Sequence, residues 1–467
     1  MDDQTYTDTA HLLRRAGFGA EPAAIKAAAT AGINAAIDML LHPETVPENL
    51  NDAQTLSRLA GLLPETRNGG TPVQAVKMWW VHRMLTSPRT LQEKMVLFWH
   101  GHFTSKDGGM QGDFLYRQNQ LFRTYALGNF RTLTLAVSRD PEMLRYLNGS
   151  QNYKSHPNEN YGRELMELYT CGIGPIARPN YTEDDVRAAA RAFSGWNLRR
   201  GEFYFNPNQH DNDLKTFLGK TGNWNGDDIV DILVAHPSTA KRLCTQLWEF
   251  FAYPNPEPHV LDALTQTYYS SGYDIRAVMS RILHSQAFYS DQARLAVIKS
   301  PAQYVVGSIR MMGLTAAVEV ALSDITPASE MADKTAGRKL AVLAQLPNAM
   351  RSMGQDLLAP PTVKGWNGGP AWINTSTLLA RINFAGTLSG SRQMFGGTAA
   401  SVTDYLQKNA LTPESWVDLL IETLGPLPLS PATRQTLVRF VNGPDSLEGR
   451  LRAVIPMVMA TPEYQVC

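Results

Sequence analysis

A mainly α-helical fold, a large multi-helical globular body with one small inserted β-hairpin, is what this sequence predicts. Three observations carry the prediction. Apolar residues recur at three- and four-residue intervals through most segments. Capping residues and prolines stand where helices of that spacing would begin. Only GEFYFNPNQHDNDLKTFLG, with Phe203 and Phe205 between polar neighbours and a turn-rich PNQHDND, has the two-residue rhythm of strands.

Taken in chain order, the first helices are expected over 22–41 and 73–86. PRTLQEKMVLFWHGHF follows, with Leu91, Met95, Phe98 and His102 on one face, Ser87 as N-cap and Pro88 at the first helical position. Segments 114–127, 130–138 and 159–170 come next. In YTEDDVRAAARAFSGW, Thr182 caps, Asp185 completes a capping box, and Val186, Ala189, Ala190 and Phe193 form the buried stripe. The hairpin occupies 201–222. Further helices are expected over 227–235, 238–252, 258–271, 274–286, 299–312, 337–346, 375–387, 402–408, 413–424, 431–441 and 447–460. Two stretches, 142–180 and 347–374, are rich in Pro, Gly and Asn and read as the long ordered loops on which sites are built. Residues 1–467 read as one helical unit; two helical lobes, about 1–200 and 237–467, are the alternative division.

Charge narrows the functional classes. Lys+Arg and Asp+Glu both number 43, a balance unlike that of proteins that coat nucleic acid or an anionic membrane. The three cysteines are too few and too far apart for a disulfide framework or a cysteine-rich zinc site. No run approaches the length of a spanning helix, and MDDQTYTDTA lacks the basic and apolar regions of a signal peptide. The expectation is a soluble, cytoplasmic chain.

Four ionisable clusters stand out. HPNENYGRELMELYTCG gathers Arg163, Glu164 and Glu167; on a helix Asn160, Glu164, Glu167 and Cys171 share a stripe. Two carboxylates a turn apart beside an arginine suit an acid–base pair with separated pKa values, and equally suit an i,i+4 ion pair on a wet surface. His100 and His102 point about 200° apart on a continuous helix, which makes His102 a core histidine; a helix ending at Gly101 would turn both rings to one side. His210 and Asp211, with Lys215 beyond, form either an ordinary turn or the rim of a pocket. PPTVKGWNGGPAWINTSTLLARINFA offers Lys364 and, in Trp366 and Trp372, flat aromatic faces for a sugar ring, while Asn374 or Thr375 caps the helix that follows. The phosphate-loop, dinucleotide, zinc-protease and nucleophile-elbow motifs do not occur.

HLLRRAGFGA, EKMVLFWHGHFTS, NENYGRELMELYTCG with YTEDDVRAAARAFSGW, NPNQHD with KTFLG, HPSTAKRLCTQLWEFF and VKGWNGGPAWINTSTLLARINFA occur in that chain of motifs in one bacterial family. The sequence resembles the domain-of-unknown-function 1800 family from near residue 11 almost to the C-terminus. The resemblance implies a mostly helical fold and supplies no reaction. It also implies an extracytoplasmic location, since many members look exported and tend to be encoded beside a sulfatase- or phosphatase-like protein.

The expected function is a hydrolase or lyase acting on a bacterial glycan. Glu164 serves as general acid or base, Glu167 and Arg163 set its pKa, and His102 shares proton transfer. His100, Arg163, Arg191, His210, Asp211, Lys364 and Trp366, with Trp196, are the expected substrate contacts, for a glycan or a small anionic ligand. The alternatives are a metal-dependent hydrolase with His100 and His102 as ligands beside Glu164, Asp211 or His210, and a non-catalytic helical protein that binds a protein partner.

Overall fold

A computed structural model describes residues 3–64, 66, 69–106, 112–316, 318, 334–390 and 412–467. The fold is mainly α: among the described residues there are 22 helices, and the strands form two small antiparallel hairpins. At its centre lie two helices that are buried on nearly every face, polar side chains included. In Val73–Thr86 every residue from Ala75 to Leu85 is buried, and Thr90–His102 buries all but Thr90, Gln92 and Gly101. Helices buried on nearly every side belong inside a large core, and Trp79, Trp80 and Trp99 fill this one. Around the pair, amphipathic helices such as Glu183–Ala192 and Pro237–Phe251 bury one stripe each.

Charged side chains within the core do backbone work. Arg15 donates to the carbonyls of Phe250, Phe251 and Ala252 at 3.3, 2.8 and 3.0 Å, satisfying the open C-terminal end of Pro237–Phe251. Arg310 does the same for Val73–Thr86 through Met84, Leu85 and Ser87. Glu93 is enclosed by Arg83 and Arg123, and these cations hold its carboxyl below the usual range against the opposing effect of burial, which is the largest single influence.

Several boundaries differ from expectation for identifiable reasons. The 22–41 helix breaks at Gly32, whose φ is +96°, and its halves diverge by 104°. Ser87 does not cap Thr90–His102; its hydroxyl bonds Glu48, and the helix starts at Thr90. The 337–346 helix extends over Lys334–Ser352, taking the start of the expected 347–374 loop. The expected capping box at Thr182 and Asp185 is present, and Asn374 Oδ1 accepts the Thr377 N–H at 3.0 Å. Two hairpins replace the single one. Trp196–Arg199 pairs with Glu202–Phe205, and Lys215–Phe217 with Lys220–Gly222. Gly195, at φ +81°, begins the first; a Cβ there would lie 2.5 Å from the Asn206 carbonyl oxygen. Helices also form at Asp3–Arg15, Asp52–Gly61, Pro141–Tyr146 and Pro462–Gln465, where none was expected. The expected 402–408 helix lies outside the described residues. Among the described residues, no single helix is long and apolar enough to cross a membrane.

Candidate functional site

The glutamate-rich segment is helical but changes pitch within itself. Asn160–Glu164 is α-helical and Leu165–Tyr169 is a π-turn. Thr170 leaves helical geometry at φ −131° and ψ −107°, and its hydroxyl binds the Leu165 carbonyl at 2.6 Å. The wider turn is anchored by the buried side chains of Tyr161, Leu165, Met166 and Tyr169. Gly162 lets the segment lie close on Glu183–Ala192, since a Cβ would sit 3.1 Å from that of Ala189. Single π-turns inside helices recur at functional sites because they re-aim side chains. Glu167 lies within this one.

Glu167 faces a cavity of about 390 Å³ whose polar walls are His102, Glu167, Arg242, Gln246 and Lys364. Lys364 Nζ is 3.3 Å from Glu167 Oε1, and the Tyr181 hydroxyl donates to Oε2 at 3.4 Å. Lys364 arrives there because its loop packs on the end of Thr90–His102. Gly365, at φ +76°, comes so close that a Cβ would be 3.0 Å from the Gly101 carbonyl oxygen. His102 is core-facing. Its Nε2–H donates to the Tyr169 carbonyl at 3.0 Å, which makes Nδ1 the acceptor nitrogen of a neutral ring. Burial first, then Arg242, pulls the imidazole pKa down to about 3. Gln246 stands near enough to oppose that slightly, yet no hydrogen bond of normal geometry joins the two.

Three buried polar atoms with no hydrogen-bond partner among the described residues belong to this one wall: His102 Nδ1, Gln246 Oε1 and Arg242 Nε. Such atoms cost roughly 1–3 kcal/mol each unless something else bonds them. Burial also lowers the Arg242 pKa. The cavity adjoins a second one of about 310 Å³ through Gly101, His102 and Gln246, and the second is walled by Phe98, Phe250, Trp366 and Trp372. The pair therefore sets a charged recess beside an aromatic one.

Glu164 is half-buried and does not line the cavity. Burial raises its pKa first and the Glu167 charge adds to this, while Lys364 and Arg163 oppose it. The other expected residues are held elsewhere. Arg163 is fixed between Glu159 and Glu183, at 2.9 and 2.8 Å. His100 accepts the Leu358 N–H at 3.2 Å and packs on Trp80 and Trp366, so Trp366 presents only part of its ring. Arg191 grips Asp211 at 2.6 Å, His210 Nδ1 donates to the Ser194 carbonyl at 2.9 Å, and Trp196 is buried against Phe193 and Phe203. These last belong to the far end of Glu183–Ala192, about 12 Å of helix from Glu183. The structure does not bring His210, Asp211 or Arg191 to the Glu167 cavity.

The metal reading needs correction. His100 and His102 lie on opposite faces of a helix that runs through Gly101 without a turn, and among the described residues no three His, Cys, Asp or Glu side chains gather as ligands. Arg242 and Gln246 are wall residues that sequence reasoning did not single out. With Glu249 they form an i, i+4, i+7 stripe on Pro237–Phe251, opposite the apolar stripe that explains the helix.

A family model described as a protein of unknown function (DUF1800) matches residues 11–466. No curated protein and no solved structure matches the chain.

Proposed function

The chain belongs to the DUF1800 family, whose description carries no activity, and from that premise we propose a hydrolase or lyase acting on an anionic bacterial glycan by carboxylate acid–base catalysis. One observation carries the reading. Glu167, Lys364 and Arg242 share a cavity whose wall holds three unpartnered buried polar atoms, and that cavity continues into an aromatic recess. A uronate or sulfate group fits the two cations, and sugar hydroxyls fit His102 Nδ1 and Gln246 Oε1, both acceptors. A neighbouring ring would stack on Trp366 or Trp372. Glu164, kept more readily protonated by burial and by Glu167, is the candidate acid, and Glu167 the candidate base. Substrate would have to reach Glu164 past Glu167, because Glu167 alone of the two lines the cavity.

The test is turnover of uronic-acid and sulfated oligosaccharides, read as new reducing ends or as unsaturated-product absorbance. Glu167→Gln and Glu164→Gln should each lower kcat at least a hundredfold with the circular dichroism unchanged. Undiminished turnover in both variants would sink the proposal. Saturable glycan binding without turnover in the wild type would instead identify a binding protein, the reading that the same unpartnered atoms also favour.

A further inference from the structure

On the opposite side of Pro237–Phe251 from Gln246, a separate cavity of about 460 Å³ is walled by that helix, Pro258–Ser270, Ile275–Leu283 and the short turn Gln286–Tyr289. Its polar lining is Trp248, His259, Arg281, His284, Ser285 and Gln286. Every ionisable wall residue is basic, and no carboxylate lines it. Among the described residues Arg281 makes no ion pair, and Arg281, His259 and His284 are all exposed at the mouth. His284 uses Nδ1–H on the Ser280 carbonyl at 2.8 Å, which leaves Nε2 for something outside the chain. Of the acids nearby in sequence, Glu257 is engaged by the Tyr253 hydroxyl at 2.7 Å and Asp262 is exposed; neither lines the cavity.

The second, independent observation is at the floor. Trp248 is fully buried, yet among the described residues its Nε1–H has no oxygen, nitrogen or sulfur acceptor. A buried indole N–H normally finds one, and leaving it bare costs about as much as a lost hydrogen bond. The occupant of the cavity is the available source. It must present an acceptor to the indole and negative charge to a guanidinium and two imidazoles. A tetrahedral oxyanion meets both demands, with oxygens on Arg281 and His284 and, once a small shift of the buried indole opens its Nε1–H to the cavity, one on Trp248.

We propose that this cavity is a binding site for a sulfate or phosphate group, free or esterified to a larger molecule, distinct from the Glu167 cavity and independent of the reaction proposed there. The experiment follows the indole N–H resonances of the intact, ¹⁵N-labelled protein. The Trp248 signal is assigned by its loss in Trp248→Phe or, should that variant not fold, by its proximity to the Tyr253 ring. Sodium sulfate, sodium phosphate and glucose 6-sulfate are titrated at constant ionic strength against chloride. The Trp248 resonance should move saturably with at least one of them, and Arg281→Ala should weaken that response at least tenfold, with thermal unfolding unchanged. Tighter binding of the sugar ester than of inorganic sulfate would identify an ester as the occupant; equal binding would identify the free ion. No saturable movement with any of the three would overturn the site and leave the Trp248 N–H resting on the face of Tyr253, whose ring stands at 90° to it. An unweakened response in Arg281→Ala would overturn it equally.

Discussion

Lys364 is the side chain through which the carboxylates are tuned. It contacts Glu167 directly and also lowers the Glu164 pKa, against burial and Glu167, which raise it. Removing Lys364 therefore keeps Glu164 protonated to higher pH. If Glu164 is the acid, Lys364→Ala should move the alkaline limb of the kcat profile upward while raising KM for an acidic glycan about tenfold. An unmoved limb would show that Glu164 does not donate the proton. A buried acid elsewhere tests the same physics without catalysis. Asp140 is enclosed by the protein and caps Pro141–Tyr146 through the Met143 N–H at 3.0 Å, and burial pushes its carboxyl up to about 7. Its folded pKa exceeds the unfolded value, so the folded state binds more protons between about 4 and 7. Stability from this group is full below that window and is lost as pH rises through it, by at most about 4 kcal/mol. Denaturant melts of Asp140→Asn should lack that slope when compared with wild type. At this scale the sequence was informative wherever charge clustered: Glu164, Glu167 and Lys364 were visible as candidates. Arg242 and Gln246 were not, because Leu243, Leu247 and Trp248 account for their helix without them.

Helices were legible where a cap or an apolar stripe announced them, as at Thr182 and Asp185. The π-turn at Leu165–Tyr169 was not, since an α-helix of the same letters has the same stripe; the anchoring of Tyr161 and Tyr169 in the core decides it. The inserted β segment was legible, but not its division into two hairpins, since the first begins at Trp196, whose burial reads equally well as the end of the preceding helix. Arg15 makes an element-scale prediction. Arg15→Met would keep the volume of the side chain and strip the carbonyls of residues 250–252 of their donors inside the core. A loss of about 3 kcal/mol or more is expected, read as a fall in denaturation midpoint at unchanged helical content. A midpoint within error of wild type would mean that water replaces the guanidinium.

The buried apolar residues form one connected core that runs from Leu12 to Tyr464. Asp3–Arg15 reaches Phe288 through His11 and Cys467 through Arg15, so the beginning of the described chain is held by residues from its second half. On this basis we expect the protein to unfold in a single calorimetric transition; two separable transitions would support the two-lobe division. Acid should weaken the whole. His11, His82, His100 and His102 have pKa values lowered by burial to about 2, 4, 3 and 3. They protonate more easily unfolded than folded, so their contribution is complete above about 6.5 and fades as pH falls below it. A helical architecture of this kind could be read from periodicity. The meeting of distant segments at one cavity could not, because no local pattern encodes which helix lies behind Gln246.

The grip of Arg15 on residues 250–252 and on Cys467 also bears on how the protein is made. A nascent chain presents Arg15 to solvent long before either of its partners has left the ribosome. Until residues 250–252 emerge that guanidinium has nothing to close upon, and its contact with Cys467, like the Val297–Cys467 pairing, waits for residue 467. The first helix is thus expected to remain exposed to proteases and chaperones until residues 250–288 have been made, and to dock on Phe288 and residues 250–252 before Cys467 closes against it.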